Sequence, residues 1–150
     1  MFDYKKLIET EIFQSGIMLK NTSNHSLSHW KRVEENGLHL ASINGADILV
    51  ISLFSYLHDA RRIHEGDDDG HGVRAAKLLD QLISAGIINI SDLQYKQLSK
   101  ALIWHNSDKA KSDDITIQSC WDADRLDLGR VGIKPDPNRL FTEEGKRMAS

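Results

Sequence analysis

The apolar positions of this chain recur mostly at helical spacing. Leu7, Ile8, Ile12, Phe13 and Ile17 form the first run, which a polar cluster from Asn21 to Asn24 closes, so the pattern predicts a first helix. From about Ser26 the spacing resumes through Trp30, Val33, Leu38, Leu40 and Ala41. It stops at the turn pair Asn44-Gly45, which predicts a second helix carrying His29. Ala46 to Leu57 is largely apolar and too long for an ordinary strand; it predicts a buried third helix that delivers His58 and Asp59 at its C-terminal end. A fourth begins near His71 and runs through Val73, Ala75, Leu78, Leu79 and Leu82 to the Gly86 stop. Ser91-Asp92 caps a fifth, which ends at Trp104-His105-Asn106.

Ile115 to Val131 predicts a sixth helix carrying Asp122, Asp124 and Asp127, weakened by Gly129 and Gly132 and stopped by Pro135 and Pro137. A short C-terminal helix from Pro137 to about Met148 would dock through Leu140 and Phe141. Hairpin signals, repeats and linkers are absent from the sequence, so the expected fold is all-α: a single domain over residues 1–150, built as a bundle of about six or seven helices.

Composition narrows the function. A chain of 150 residues folding as one domain buries about 70% of the surface its unfolded form exposes. Lys and Arg number 19 against 22 Asp and Glu, a formal net charge of -3. No global positive field therefore recommends a nucleic-acid duplex as partner. The one cysteine, Cys120, excludes an internal disulfide, suits a reducing compartment and reads as a small core residue. The N-terminal stretch lacks the unbroken apolar core of a signal peptide, and Ile48 to Leu57 is too short to span a bilayer. The expectation is a soluble cytoplasmic protein with no membrane partner; its oligomeric state is left open.

Candidate chemistry gathers on the predicted helices, much of it at their ends. His29 lies on the second, His58 and Asp59 close the third, His71 opens the fourth, His105 closes the fifth and Asp124 rides on the sixth. Buried imidazoles and carboxylates are costly unless paired or coordinated. A nitrogen and oxygen donor set without thiolate suits one or two divalent ions drawn from Mn, Fe, Co, Ni, Mg or Zn. His58 and Asp59 alone would also fit an ion pair at a helix C-terminus. The carboxylate run Asp67, Asp68 and Asp69 reads as solvated, with a supporting base as its other role, and lacks the closing glutamate of a calcium loop. His25 reads as a solvent or capping residue, and Trp30, Trp104 and Trp121 as core wall near the pocket. His39 and His64 have no partner in the pattern.

The order His29 with Arg32-Val33, then His58-Asp59, then Asp122-Ala123-Asp124-Arg125-Leu126-Asp127 resembles the motif set of the HD-domain metal-dependent phosphohydrolase superfamily. It spans about two-thirds of the chain. The resemblance implies an HD-type helical domain in which His29, His58, Asp59 and Asp124 hold a metal. Asp124 is preferred because it directly precedes Arg125-Leu126; Asp122 and Asp127 become supporting or structural residues. His71 and His105 stand where binuclear members place two further histidines, which implies a second ion or a direct catalytic role for the pair. The branch that degrades cyclic dinucleotides resembles this chain less: Arg62 stands where that branch has a lysine, and its Gly-Tyr-Pro motif is missing. Arg62 or its neighbour Arg61, with Arg62 preferred, could clamp a phosphate.

The implied activity is hydrolysis of a small phosphorylated molecule, a nucleotide by preference, by water activated at the metal. Asp59, Arg62, His71 and His105 are the expected catalytic residues. A module of the same fold that binds metal for sensing or structure, without turnover, is the competing expectation.

Overall fold

The computed structural model describes residues 2–17 and 26–150. Among the described residues eight α-helices occur, in the order α1 (Tyr4–Ile8), α2 (Glu11–Gln14), α3 (Leu27–Asn44), α4 (Ile48–Leu57), α5 (His71–Ser84), α6 (Asp92–Trp104), α7 (Ile115–Arg125) and α8 (Glu143–Ala149). Two short 3-10 helices, Leu128–Val131 and Pro137–Arg139, separate the last two, and no strand occurs among the described residues. The all-α expectation holds. The polar cluster from Asn21 to Asn24 and His25 lie outside the described residues.

Helix α4 is the axis of the bundle. Asp47 caps it by accepting from Leu49 and Val50 N–H, and Val50 through Leu57 are buried in unbroken sequence. A helix apolar on every side must be wrapped by others, and α3, α5, α6 and α7 all pack on it. One contiguous core results, from Leu7 and Phe13 through Val33, Ile51, Leu79 and Leu98 to Cys120 and Trp121.

Helix directions are set by the hydrogen bonds that lash the N-terminal ends together. Asp47 N–H donates to Thr116 Oγ1 at 2.9 Å, and Gln94 donates to Asp47 Oδ2 at 3.0 Å. Gln97 donates to Asp114 Oδ2 at 3.0 Å. The starts of α4, α6 and α7 are thus tied to one another, and these three helices run parallel. Their C-terminal ends meet at the opposite pole, where the antiparallel α3 and α5 begin. Glycine allows close approaches between these helices. A Cβ on Gly72 would stand 2.5 Å from the Leu102 carbonyl oxygen, and one on Gly37 would overlap the Ile51 side chain.

Three predicted elements differ. The first helix is two, because Thr10 accepts from Phe13 N–H to start α2 while donating to Leu7 O, and Arg61 ties down the carbonyls of Ile12 and Phe13. The sixth stops at Arg125 instead of Val131. Asp127 is drawn sideways to His29 and Arg32, its N–H closes on Asp124 O, and the chain tightens into a 3-10 turn that ends at Gly132 with φ 77°. The C-terminal helix begins at Glu143, not Pro137. Buried Asp122 accepts from the Phe141 and Thr142 N–H groups and from Thr142 Oγ1, which holds the chain extended before Thr142 caps α8.

Candidate metal centre

Five helix ends deliver the candidate ligands to one pole. His29 sits in the first turn of α3, His58 is the C-cap of α4 with Asp59 next to it, and His71 opens α5. His105 is the C-cap of α6, and Asp124 lies in the last turn of α7. His29 and His58 are fully buried and Asp59, His71 and His105 nearly so. The C-terminal poles of α4, α6 and α7 direct their partial negative charge here, facing the positive N-terminal poles of α3 and α5.

His29 Nε2 lies 3.1 Å from His58 Nε2, 3.3 Å from Asp59 Oδ2 and 3.1 Å from Asp124 Oδ1. His58 Nε2 lies 3.2 Å from Asp59 Oδ2 and 3.4 Å from Asp124 Oδ1. Divalent ions of this class hold such donors at about 2.1 Å, which separates neighbouring donors by about 3.0 Å in octahedral and about 3.4 Å in tetrahedral arrangement. The observed spacings span that range. The other oxygen of Asp59 faces a second group: Oδ1 is 3.3 Å from His71 Nε2 and 3.7 Å from His105 Nε2, themselves 2.8 Å apart. One carboxylate therefore joins two donor sets, His29-His58-Asp59 and Asp59-His71-His105.

The second nitrogen of each imidazole decides what these atoms are. His29 Nδ1 lies 2.7 Å from Asp127 Oδ2, His58 Nδ1 3.0 Å from Ser55 O, His71 Nδ1 2.5 Å from Asp68 O and His105 Nδ1 2.7 Å from Leu102 O. Every Nδ1 faces an oxygen and must donate its proton there. In the neutral tautomer each Nε2 then turns a lone pair inward. Four inward lone pairs facing carboxylate oxygens need a cation, and the residues fit one or two divalent ions.

Protons compete for the same place. Burial lowers the pKa of His29, but hydrogen bonds to Asp124, Asp127 and Asp59 outweigh it and raise it to about 9. Burial likewise works against charge on His58, yet the adjacent Asp59 and Asp124 carry its pKa to about 10. His105, buried and close to other imidazoles, is pushed down. Burial works against the Asp124 carboxylate too, but His58 and His29 hold it well below the carboxylate range.

Of the residues singled out in the sequence, His29, His58, Asp59, His71, His105 and Asp124 are brought together. Asp122 is not; both its oxygens serve the α8 junction. Asp127 stands one bond out, accepting from His29 and from Arg32 Nε at 2.8 Å. Asp68 spends both oxygens on Ile63 N–H and Arg74, and so does not stand ready as a base. Arg62 lines the cavity, but its Nε is 3.2 Å from Asp59 Oδ1 and its Nη1 donates to the carbonyls of His64 and Gly66. Arg61 is committed to peptide carbonyls. Trp104 is 42% exposed, which corrects its assignment to the core wall: it lies on the outer face of α6, whereas Trp30 and Trp121 are buried.

A cavity of about 920 Å³ opens onto this pole, with Asp59, His71, His105 and Asp124 in its lining. Six cationic side chains line it, Arg62, Lys111, Arg125, Arg130, Lys134 and Arg139, against only Asp108 and Asp136 beyond the cluster. Sequence order did not reveal this concentration, because the basic residues come from three separate segments of a chain whose net charge is negative.

An all-helical bundle with paired His and Asp residues converging at one pole defines an HD-type fold. The chain is similar over 99% of its length, and over 89% of the other chain, to the crystal structure of a predicted HD superfamily hydrolase from an uncultured Thermotogales bacterium, at 26% identity and a TM-score of 0.69. No family model and no curated protein matches the chain. The fold is that of the HD superfamily, in agreement with the resemblance carried by the ordered motifs.

Proposed function

We propose that this chain is a metal-dependent phosphohydrolase whose substrate is a small phosphorylated molecule, with a nucleotide as the preferred class. The observation that carries the reading is the convergence of four inward imidazole nitrogens on the two oxygens of Asp59, at the floor of a cavity walled by six cations. His29, His58, Asp59 and Asp124 would hold the first ion, and His71 and His105, with the shared Asp59, a second. A divalent ion bound there supplies Lewis acidity and lowers the pKa of a water from 15.7 toward about 7.

The protein's own groups do the rest. Asp127 and three main-chain carbonyls fix the imidazole tautomers, so the donor atoms are oriented before anything binds. Arg62 braces Asp59 through Nε and ties the adjoining loop to it. The cationic wall draws in an anion and offsets charge growing on phosphoryl oxygens. Leu128, Ile133, Pro135, Leu140 and Phe141 add an apolar side to the cavity. Its volume is within the usual range for small-molecule sites, about 300–1,000 Å³. An amphipathic substrate, anionic at one end and flat or apolar at the other, suits such a wall.

The test is phosphate release from a panel of nucleotides and sugar phosphates by chelator-stripped protein refilled with manganese, cobalt or magnesium, beside Asp59→Ala. Metal-dependent turnover that disappears in the variant is expected. Equal, negligible release by both proteins from monoesters, diesters and pyrophosphates would transfer the site to a sensing or structural role.

A further inference from the structure

The cavity's cations are not equivalent. Lys111, Lys134 and Arg139 are exposed on its rim. Arg62 has three hydrogen bonds to Asp59 and to carbonyls of its own loop. Arg125 donates to Arg139 O and lies 5.0 Å over the Phe141 ring. Arg130 differs from all of them. Its side chain is only 10% exposed, and Nη1 is anchored on Asp127 O at 2.9 Å. Nη2 approaches Asp124 Oδ1 no closer than 3.9 Å, and the buried Nε has no hydrogen-bond partner among the described residues. Nε and Nη2 form one edge of the guanidinium, the fork that donates two parallel bonds to a pair of phosphate oxygens.

From this geometry we infer that Arg130 is the substrate's phosphoryl-binding guanidinium, with its Nε/Nη2 edge taking two oxygens of the anion beside Asp124. The inference rests on the phosphohydrolase reading and deepens it, since it replaces the expected clamp at Arg62, beside Asp59, with a residue beside Asp124. Anchoring at Nη1 leaves the fork oriented, so little freedom is lost when an anion arrives. Asp124 supplies the reason for order: in the stripped protein its carboxylate is shared between His29, His58 and Nη2, and once it serves a divalent cation it no longer draws on Nη2. Phosphate and metal therefore bind in support of each other.

The experiment is calorimetric titration of inorganic phosphate into the full chain, stripped and manganese-loaded, for the unaltered protein, Arg130→Met and Arg130→Lys, with manganese affinity measured for each. Circular dichroism checks the fold of each variant. Expected are phosphate binding that tightens at least tenfold on manganese loading, a loss of tenfold or more in Arg130→Met, and partial retention in Arg130→Lys, with manganese affinity within about threefold throughout. Phosphate binding by Arg130→Met equal to that of the unaltered protein would overturn the assignment of Arg130 and leave the phosphohydrolase reading standing. Failure of the unaltered, manganese-loaded protein to bind phosphate would instead overturn that reading and the inference with it. Loss of manganese or of fold in both variants would make Arg130 a structural residue and refute the inference.

Discussion

Asp122 and Asp124 are two residues apart and do unrelated work. Asp122 is fully buried and takes three hydrogen bonds at the α8 junction, yet burial still raises its pKa, so the fold tolerates a costly carboxylate for what it holds. Asp122→Ala strands two main-chain N–H groups and a hydroxyl, and should cost about 3 kcal/mol in urea denaturation without changing metal affinity. A metal-binding loss equal to that of Asp124→Ala would show the two roles to be misassigned. The raised His29 and His58 values, about 9 and about 10, fix the pH response. Both lie above the 6.5 of an ordinary imidazole, so the stability these ion pairs give the stripped protein is complete below pH 6.5 and is lost as pH rises through 9 and 10. On the acid side, the Asp124 contribution is present above about pH 3.8 and fades as pH falls toward its lower folded value. Melting temperatures of stripped protein should therefore fall between pH 8 and 10, and a flat profile there would refute the pairing. Loading manganese near pH 7.5 should release about two protons, read from calorimetry in buffers of different ionisation heat.

At the scale of elements, the site depends on how closely helices approach. Gly72 comes directly after His71, and its missing side chain lets α5 lie against the carbonyls of Leu102 and Ile103, which brings His71 to His105. Gly72→Ala must push α5 and α6 apart. A destabilisation of about 1–3 kcal/mol is expected, with weakened binding of a second ion and little change in the first, separable by manganese titration monitored by electron paramagnetic resonance. Most helix limits were legible in the sequence because the signals are local: Ser91 caps α6, and Gly45 and Gly86 close α3 and α5. The misjudged ends near Val131 and Pro137 depend on Asp127 reaching His29 and Asp122 reaching Thr142. A partner 20 or 98 positions away leaves no trace in local periodicity. Distance in the chain also hid the commitment of Arg61 to the carbonyls of Ile12 and Phe13, whereas the partners of Arg62 are near in sequence but are carbonyls, which no side-chain pattern encodes.

For the whole molecule, the core is contiguous and the donor groups sit at its end rather than inside it. Removing metal should leave the helical circular dichroism nearly unchanged while the melting temperature drops; excess ligand at 100 times its dissociation constant adds about 2.7 kcal/mol. Collapse of the helical signal on chelation would make the ion a structural element. No helix among the described residues is long and apolar enough to cross a membrane.

The bonds at Nδ1 also sort the site by vulnerability. His58 and His105 each sit one step past a helix and turn back onto a carbonyl of its last turn, and His71 rests on the carbonyl of Asp68. Those three orientations are inherited from the backbone, where substitution has nothing to delete. His29 alone among the four leans on a removable group, the Asp127 side chain. Random mutation of the residues that accept from these Nδ1 atoms should thus find one weak joint, and it lies on the side of the site that faces α3.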